Sequence, residues 1–312
     1  NSEVHMNGQE GGRITLRGIE QVPGYWAGVF HQSTDVTNNW SFVDIMHTGS
    51  DEVGESIDTW LSALYVDDDG RVTIQSCNFM DNAGRGVTAF EDTRLPDFNG
   101  NHFENNEMAP IAISHGGVQY LNNTLTFANN TMSYVDINNE LQNCCPADEL
   151  NGTHTWTFNK LPLHISGMGL SAGDQLTIEP GVELLVKGGG QFTWNGSVEI
   201  NGTETDSVRI GHVDATSGSW NGIYLGKEAS TYDFEHLSIG YAGREPTDTF
   251  HDQLSNIYLD NDVTLNISNS SVHHSGGWGI SYEQGGSGDA TLNASGMNYY
   301  ANTSGATTVD GS

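Results

Sequence analysis

The chain has 312 residues, with 40 Asp and Glu against 10 Lys and Arg, a formal net charge of −30. So acidic a surface repels phosphate backbones and excludes nucleic acid as a partner, and no apolar run approaches the roughly 20 residues that span a bilayer. Hydrophobic residues make up only 36% beside 39 glycines, so the expected core is thin. Acidity with few basic residues suits salty or calcium-rich water, where ions screen self-repulsion over about 8 Å or less. It equally serves as a plain solubilising surface.

The chain opens at Asn1 without Met or a basic-then-apolar leader, as expected of a removed export signal or of a piece of a longer protein. "SEVHMNGQEGGRITLRGIE" (2–20) then aligns with "GSVEINGTETDSVRIGHVD" (196–214), matching Asn7 with Asn201 and Gly8 with Gly202. The offset of 194 carries Trp26 and Gly28 onto Trp220 and Gly222, and Ile45 and Gly49 onto Ile239 and Gly243. It slips to 193 for "LSALYV" (61–66) on "LSNIYL" (254–259), Ile74 on Ile267, and "AGRGV" (83–87) on "GGWGI" (276–280). The predicted organisation is one continuous body, 1–312, with an internal duplication of about 194 residues. Residues 2–117 form a truncated first copy and 118–312 a second, including a loop excursion at 137–154.

Within each copy runs a finer period of about 22 residues: Ile178, Ile200 and Ile223; Val186 and Val208; Leu237, Leu259 and Ile280; and, in the first copy, Val43, Val66 and Val87. Short runs such as "QLTIE", "ELLVK", "SVEIN" and "SVRIG" alternate apolar with polar, the pattern of half-buried strands. Gly, Asn-Gly and Asp punctuate them and supply the left-handed positions of sharp corners. The leucine-rich frame is missing, and a propeller blade needs about 40 residues of hairpins. An all-β parallel β-helix of some 12–14 turns fits this period, with like residues stacked 4.7–4.9 Å apart between turns.

"LTIEPGVELLVKGGGQFTWNGSVEINGTETDSVRI", "SGSWNGIYLG" and "YDFEHLSIGYAG" resemble the right-handed parallel β-helix repeats of large secreted and surface proteins of bacteria and archaea. "THTWTFNKLPLHISGMGLSAGD" (153–174) is similar to the segment leading into the "LTIEPG" turn of that group. The resemblance covers 153–282, and 2–115 through the internal match. It implies a fold and an exported destination, and no enzyme activity.

Enzymes on such a fold cluster acids, often with calcium, beside an Arg or Lys base. For metal, Asp67, Asp68 and Asp69 in "VDDDGR" are echoed by Asp260 and Asp262 in "LDNDV". Carboxylates at this spacing can converge on Ca²⁺, and the same residues fit a tight corner. For acid–base work, "FEDTR" offers Glu91, Asp92 and Arg94, but its counterpart is "YEQGG"; Arg85 is matched by Trp278 and Asp81 by His274. No acid–base pair persists in both copies. His273 and His274 are potential metal ligands without a third at fixed spacing. Trp26 and Trp220 are expected to pack on corners. No cofactor is required on this reading, with Ca²⁺ the single candidate.

Asn-x-Ser/Thr triplets begin at Asn39, Asn122, Asn129, Asn151, Asn195, Asn201, Asn266, Asn269, Asn293 and Asn302, which favours an exported, glycosylated protein. The cysteines are Cys77 and the adjacent Cys144 and Cys145, whose vicinal disulfide would be strained. Starting and stopping in mid-unit fits further repeats or end-to-end stacking. The expectation is therefore a secreted or cell-surface structural solenoid (filament, stalk or surface layer) that self-associates head-to-tail or laterally. The competing expectations are a polysaccharide lyase or glycosidase and a glycan-binding adhesin.

Overall fold

Short strands with strict alternation bury one side and solvate the other. Ser197–Asn201 and Thr231–Glu235 alternate exposed and buried residue by residue. The computed structural model describes residues 3–55, 58–67, 69–90, 93–137, 150–247, 252–285 and 288–311. Among these, Val53–Glu55 with Asp58–Trp60 is the one antiparallel strand pair, and the rest of the strand pairing is parallel. The fold is an all-β parallel β-helix. No helix among the described residues is long and apolar enough to cross a membrane.

The chain divides into two compact units, Asn1–Ala147 with Lys160–Pro162 and Asp148–Asn159 with Leu163–Ser312. The first unit makes five laps over three faces. Its first face stacks His5–Asn7, Asn39–Ser41, Thr73–Gln75 and Phe98–Asn99. The second stacks Ile14–Arg17, Val43–Met46, Asn78–Met80, His102–Glu104 and Thr126–Ala128. The third stacks Val29–His31, Ser62–Val66, Arg85–Ala89, Ile111–Ile113 and Val135–Ile137. Leu16, Ile45, Phe79, Phe103 and Phe127 form one column of the core. Its last three rings stack at centroid distances of 5.1 and 5.5 Å, the offset packing aromatic pairs prefer.

Beside that column runs a polar ladder. Asn82 Nδ2 donates to Asn106 Oδ1, and Asn106 Nδ2 to Asn130 Oδ1, each at 2.8 Å. The same amides also tie down backbone, as where Asn106 Nδ2 donates to the Phe79 carbonyl. Buried amides are tolerable here because every lap supplies the next lap's partner.

The second unit makes six laps. Its first face stacks Thr153–Trp156, Gln175–Ile178, Ser197–Asn201, Thr231–Glu235, Thr264–Ser268 and Thr291–Ser295. The long strands Leu163–Leu170 and Glu183–Trp194 each serve two faces. The second face continues through Val208–Gly211, Leu237–Gly240, Ser271–His273 and Asn298–Tyr300. The third continues through Gly222–Leu225, Ser255–Leu259, Trp278–Gln284 and Gly305–Gly311.

The predicted 22-residue column holds only in part. Ile178 does stack on Ile200, but the next residues in that column are Phe234 and Ile267. Ile223 lies on the third face between Phe192 and Ile257. Val208 lies opposite Leu237, and Leu184 rather than Val186 reaches the neighbouring Ile210. In the first unit Val87 lies opposite Leu64, not Val66, and Val43 sits on another face. The reason is unequal laps: 22 residues from Ile178 to Ile200, then 34 to Phe234, 33 to Ile267 and 27 to Ala294. The surplus leaves at the corners, so a constant period drifts from one face to the next. Among the described residues the longer laps number five and six in the two units.

Positions matched between the copies make the same bonds. Trp26 Nε1 donates to the Met46 carbonyl at 2.8 Å, and Trp220 Nε1 to the Gly240 carbonyl at 2.9 Å. The buried hydroxyl pair Ser62–Thr88 is matched by Ser255–Ser281. Gly28 and Gly222 hold φ of 141° and 134°, and a Cβ on either would run into the carbonyl oxygen of Ser62 or Ser255. The left-handed corner residues Phe42 and His236 match likewise (φ 50° and 48°).

One feature of the first unit had no sequence signal. The strands Ser62–Val66 and Arg85–Ala89 are buried at every residue. Tyr65, Phe90 and Ala112 are covered on the outside by Val53 and Trp60 of the antiparallel pair, with Phe30 and Ala27. The predicted excursion at 137–154 overlaps strands at both ends, Val135–Ile137 and Thr153–Trp156; residues 138–149 lie outside those described.

Candidate functional site

At the acidic corners predicted to hold calcium, the described carboxylates differ in burial. Asp67 is buried and accepts from Gln32 Nε2 at 2.9 Å, while Asp69 is exposed on a left-handed backbone (φ 55°). The second copy repeats the split. Asp260 is buried, with Oδ2 accepting from Tyr224 Oη at 2.7 Å and Oδ1 from the Asn261 N–H at 2.8 Å. Asp262 is exposed at φ 60°. Asp is among the few residues that sit readily at such a corner, which accounts for acids here in both copies. Asp68 lies outside the described residues. Sequence reasoning missed Glu283, one lap further on, whose Oε2 accepts from the same Asn261 N–H at 3.0 Å. Among the described residues no three His, Cys, Asp or Glu side chains gather as a metal site.

Of the acid–base candidates, Glu91 and Asp92 lie outside the described residues, and Arg94 is exposed beside Arg71 of the previous lap. Arg85 instead meets Asp136, two laps on, at 3.4 Å, with its guanidinium 4.6 Å from the Trp60 ring centre. The pair is about nine-tenths buried. Its placement under Trp60 pins the covering strands to the third face. Trp26 and Trp220 pack on corners as expected, through their indole N–H bonds.

Cys144 and Cys145 lie outside the described residues. Cys77 is free and buried, its Sγ near the Trp40 and Gln75 carbonyls. Burial pushes its thiol up to about 11, so it is inert at neutral pH.

The ten sequons separate by environment. Asn129, Asn151, Asn201, Asn269 and Asn293 are exposed, while Asn39, Asn122, Asn195, Asn266 and Asn302 are partly buried. Asn302 bridges laps, its Oδ1 accepting from the Ser275 N–H and its Nδ2 donating to the Val272 carbonyl, each at 3.0 Å. Asn122 Nδ2 likewise donates to the Phe98 carbonyl at 2.9 Å.

A groove of about 680 Å³ lies on the first face of the second unit. Its outward rows are set by register: Asp233, Asn266 and Asn293 in one, Asn201, Glu235, Ser268 and Ser295 in the next. Asn293 Nδ2 donates to Asn266 Oδ1 at 2.9 Å, and Asn266 Nδ2 to Asp233 Oδ1 at 2.7 Å. Amides, hydroxyls and two carboxylates line it, with no Lys or Arg. Such a lining suits a hydroxyl-rich, uncharged ligand better than an anion. Three sequon asparagines fall within it.

His273 and His274, adjacent in sequence, are brought together at 3.0 Å between their Nδ1 atoms. Comparison with known protein families, with curated proteins and with solved structures finds no match.

Proposed function

We propose that this protein is an exported structural solenoid of the secreted or cell-surface kind, a component of a filament, stalk or surface layer. The observation that carries this reading is what the two copies keep in common. Their matched residues are the stacked core, the corner tryptophan bonds, the buried hydroxyl pairs and the close-approach glycines. Apart from such matches as Asn7 with Asn201 and Asp69 with Asp262, polar positions diverge, as where Arg85 is matched by Trp278 and Asp81 by His274. Duplication has preserved a scaffold, and a scaffold is what the protein supplies.

The far edge of the second unit supports growth by further laps. Thr291–Ser295, Asn298–Tyr300 and Gly305–Gly311 each pair on one side among the described residues. Core-facing Val309 is 44% exposed there, and Leu292 and Tyr299 are half-buried. A strand edge of this kind can pair with a parallel strand of a second copy. The outward acids would keep such a rod apart from its neighbours in salty water.

Electron micrographs and sedimentation of the native material in salt, with and without calcium, test this. Long particles that extend with concentration are expected. A monodisperse monomer at high concentration would exclude assembly, and cleavage of uronate or neutral polysaccharides would replace the scaffold with an enzyme. The groove favours one second reading, a glycan-binding adhesin, and retention of uncharged glycans on an array, lost in Asn266→Ala with Asn293→Ala, would establish it.

A further inference from the structure

Adjacent side chains on an extended strand point to opposite sides, so two neighbouring histidines do not ordinarily meet. Here His273 ends the strand Ser271–His273, and His274 adopts a left-handed φ of 50° that turns its ring back toward its neighbour. The two Nδ1 atoms face each other at 3.0 Å with the rings 85° apart. Both rings are clamped. Tyr300 stacks on His273 at 4.9 Å, Tyr241 stacks on His274 at 5.1 Å, and each tyrosine is edge-on to the other histidine.

The hydrogen bond on the far side of His273 is consistent with a chosen tautomer. Its Nε2 lies 3.2 Å from Ser238 Oγ on the neighbouring lap. An Nε2–H donated to that oxygen leaves Nδ1 unprotonated and facing His274, the arrangement that orients metal-bound imidazoles from behind. At metal–nitrogen distances of about 2.0–2.1 Å, ligands at right angles are about 2.9 Å apart and tetrahedral ones about 3.3–3.4 Å. The separation of 3.0 Å matches the right-angle geometry of square-planar or tetragonal ions.

We propose that His273 and His274 form a two-imidazole chelate for a divalent transition metal ion of tetragonal preference, Cu²⁺ above all. Copper heads the affinity order for nitrogen ligands, and the remaining coordination positions go to water on the exposed side of His274. The site belongs to the second copy alone, because the matched positions in the first hold Met80 and Asp81.

Metal-free protein titrated with Cu²⁺ and followed by electron paramagnetic resonance tests the assignment. At one equivalent the expected spectrum carries hyperfine coupling from two imidazole nitrogens. His274→Asn keeps a residue that tolerates the left-handed corner; it is expected to weaken Cu²⁺ binding at least tenfold and reduce the coupling to one nitrogen. Ser238→Ala is expected to weaken binding about tenfold while keeping both nitrogens. Circular dichroism and melting temperature verify that each variant is folded. Wild-type affinity in folded His274→Asn, or fewer than two nitrogens in the unmodified protein, would overturn the site and leave the two rings sharing a proton.

Discussion

Asn106 is the best place to measure what joins one lap to the next. It is 1% exposed and sits in the middle of the ladder. Its Oδ1 accepts from Asn82 at 2.8 Å, and its Nδ2 donates to the Phe79 carbonyl at 3.1 Å and to Asn130 Oδ1 at 2.8 Å. Asn106→Ala removes all three, at about 1 kcal/mol each, and orphans part of the Asn82 amide at about 1–3 kcal/mol more, so a loss of about 4–6 kcal/mol is expected. Asn106→Asp separates hydrogen-bond polarity from packing, because it keeps the shape. Its second oxygen would face two acceptors, the Phe79 carbonyl and Asn130 Oδ1. The aspartate should therefore do more damage than alanine at pH 7 and recover on acidification, when a protonated carboxyl can donate once. Urea unfolding followed by circular dichroism gives the cost. Hydrogen exchange at Thr48, whose N–H is held by Asn82 Oδ1 at 3.0 Å, shows whether the neighbouring lap loosens. A cost under about 1 kcal/mol for alanine, or aspartate no worse than alanine at neutral pH, would refute the reasoning.

Gly28→Ala and Gly222→Ala should each cost about 2–4 kcal/mol, since both glycines hold left-handed φ beneath a carbonyl of the next lap; thermal unfolding that leaves either variant at wild-type stability would contradict this. Burial holds the His31 ring below its ordinary value of 6.5, so as pH falls through 6.5 the unfolded chain takes up a proton first and stability declines. His31→Asn should flatten that part of the dependence of the urea midpoint on pH, and an unaltered slope would show that other groups carry it. In a glycosylating host, peptide mapping should find sugar at exposed Asn129, Asn151 and Asn201 and none at Asn302, whose amide nitrogen is bound to the Val272 carbonyl; full occupancy of Asn302 in folded protein would contradict its place in the lap.

The fold was legible because its two strongest signals are local. Alternation in "SVEIN" and "YDFEH" marks half-buried strands, and the offset of 194 recurs as shared bonds at Trp26 and Trp220. The lap length was not legible, because Ile200 and Ile223 keep a regular spacing while sitting on different faces. Asn82, Asn106 and Asn130 carry no sequence signal of their own; only their one-lap pairing makes them a ladder. The same limit hid Asp136 from Arg85 and Glu283 from Asn261, since these partners meet across laps whose lengths no local pattern gives. His273 and His274 were visible as a pair without a third ligand, and the left-handed turn at His274 that brings their rings together has no signature in a histidine.

Laps of 22 and of 34 residues stack equally well in the second unit because the extra chain is discharged at the corners, outside the hydrogen-bonded register. Insertion and deletion there leave the pairing of Ile200 with Phe234 untouched. A lineage can therefore acquire or shed peptide at the rim while the spine stays the same, and an engineer can display a foreign epitope there. The periphery is free to diversify because the axis has no need to.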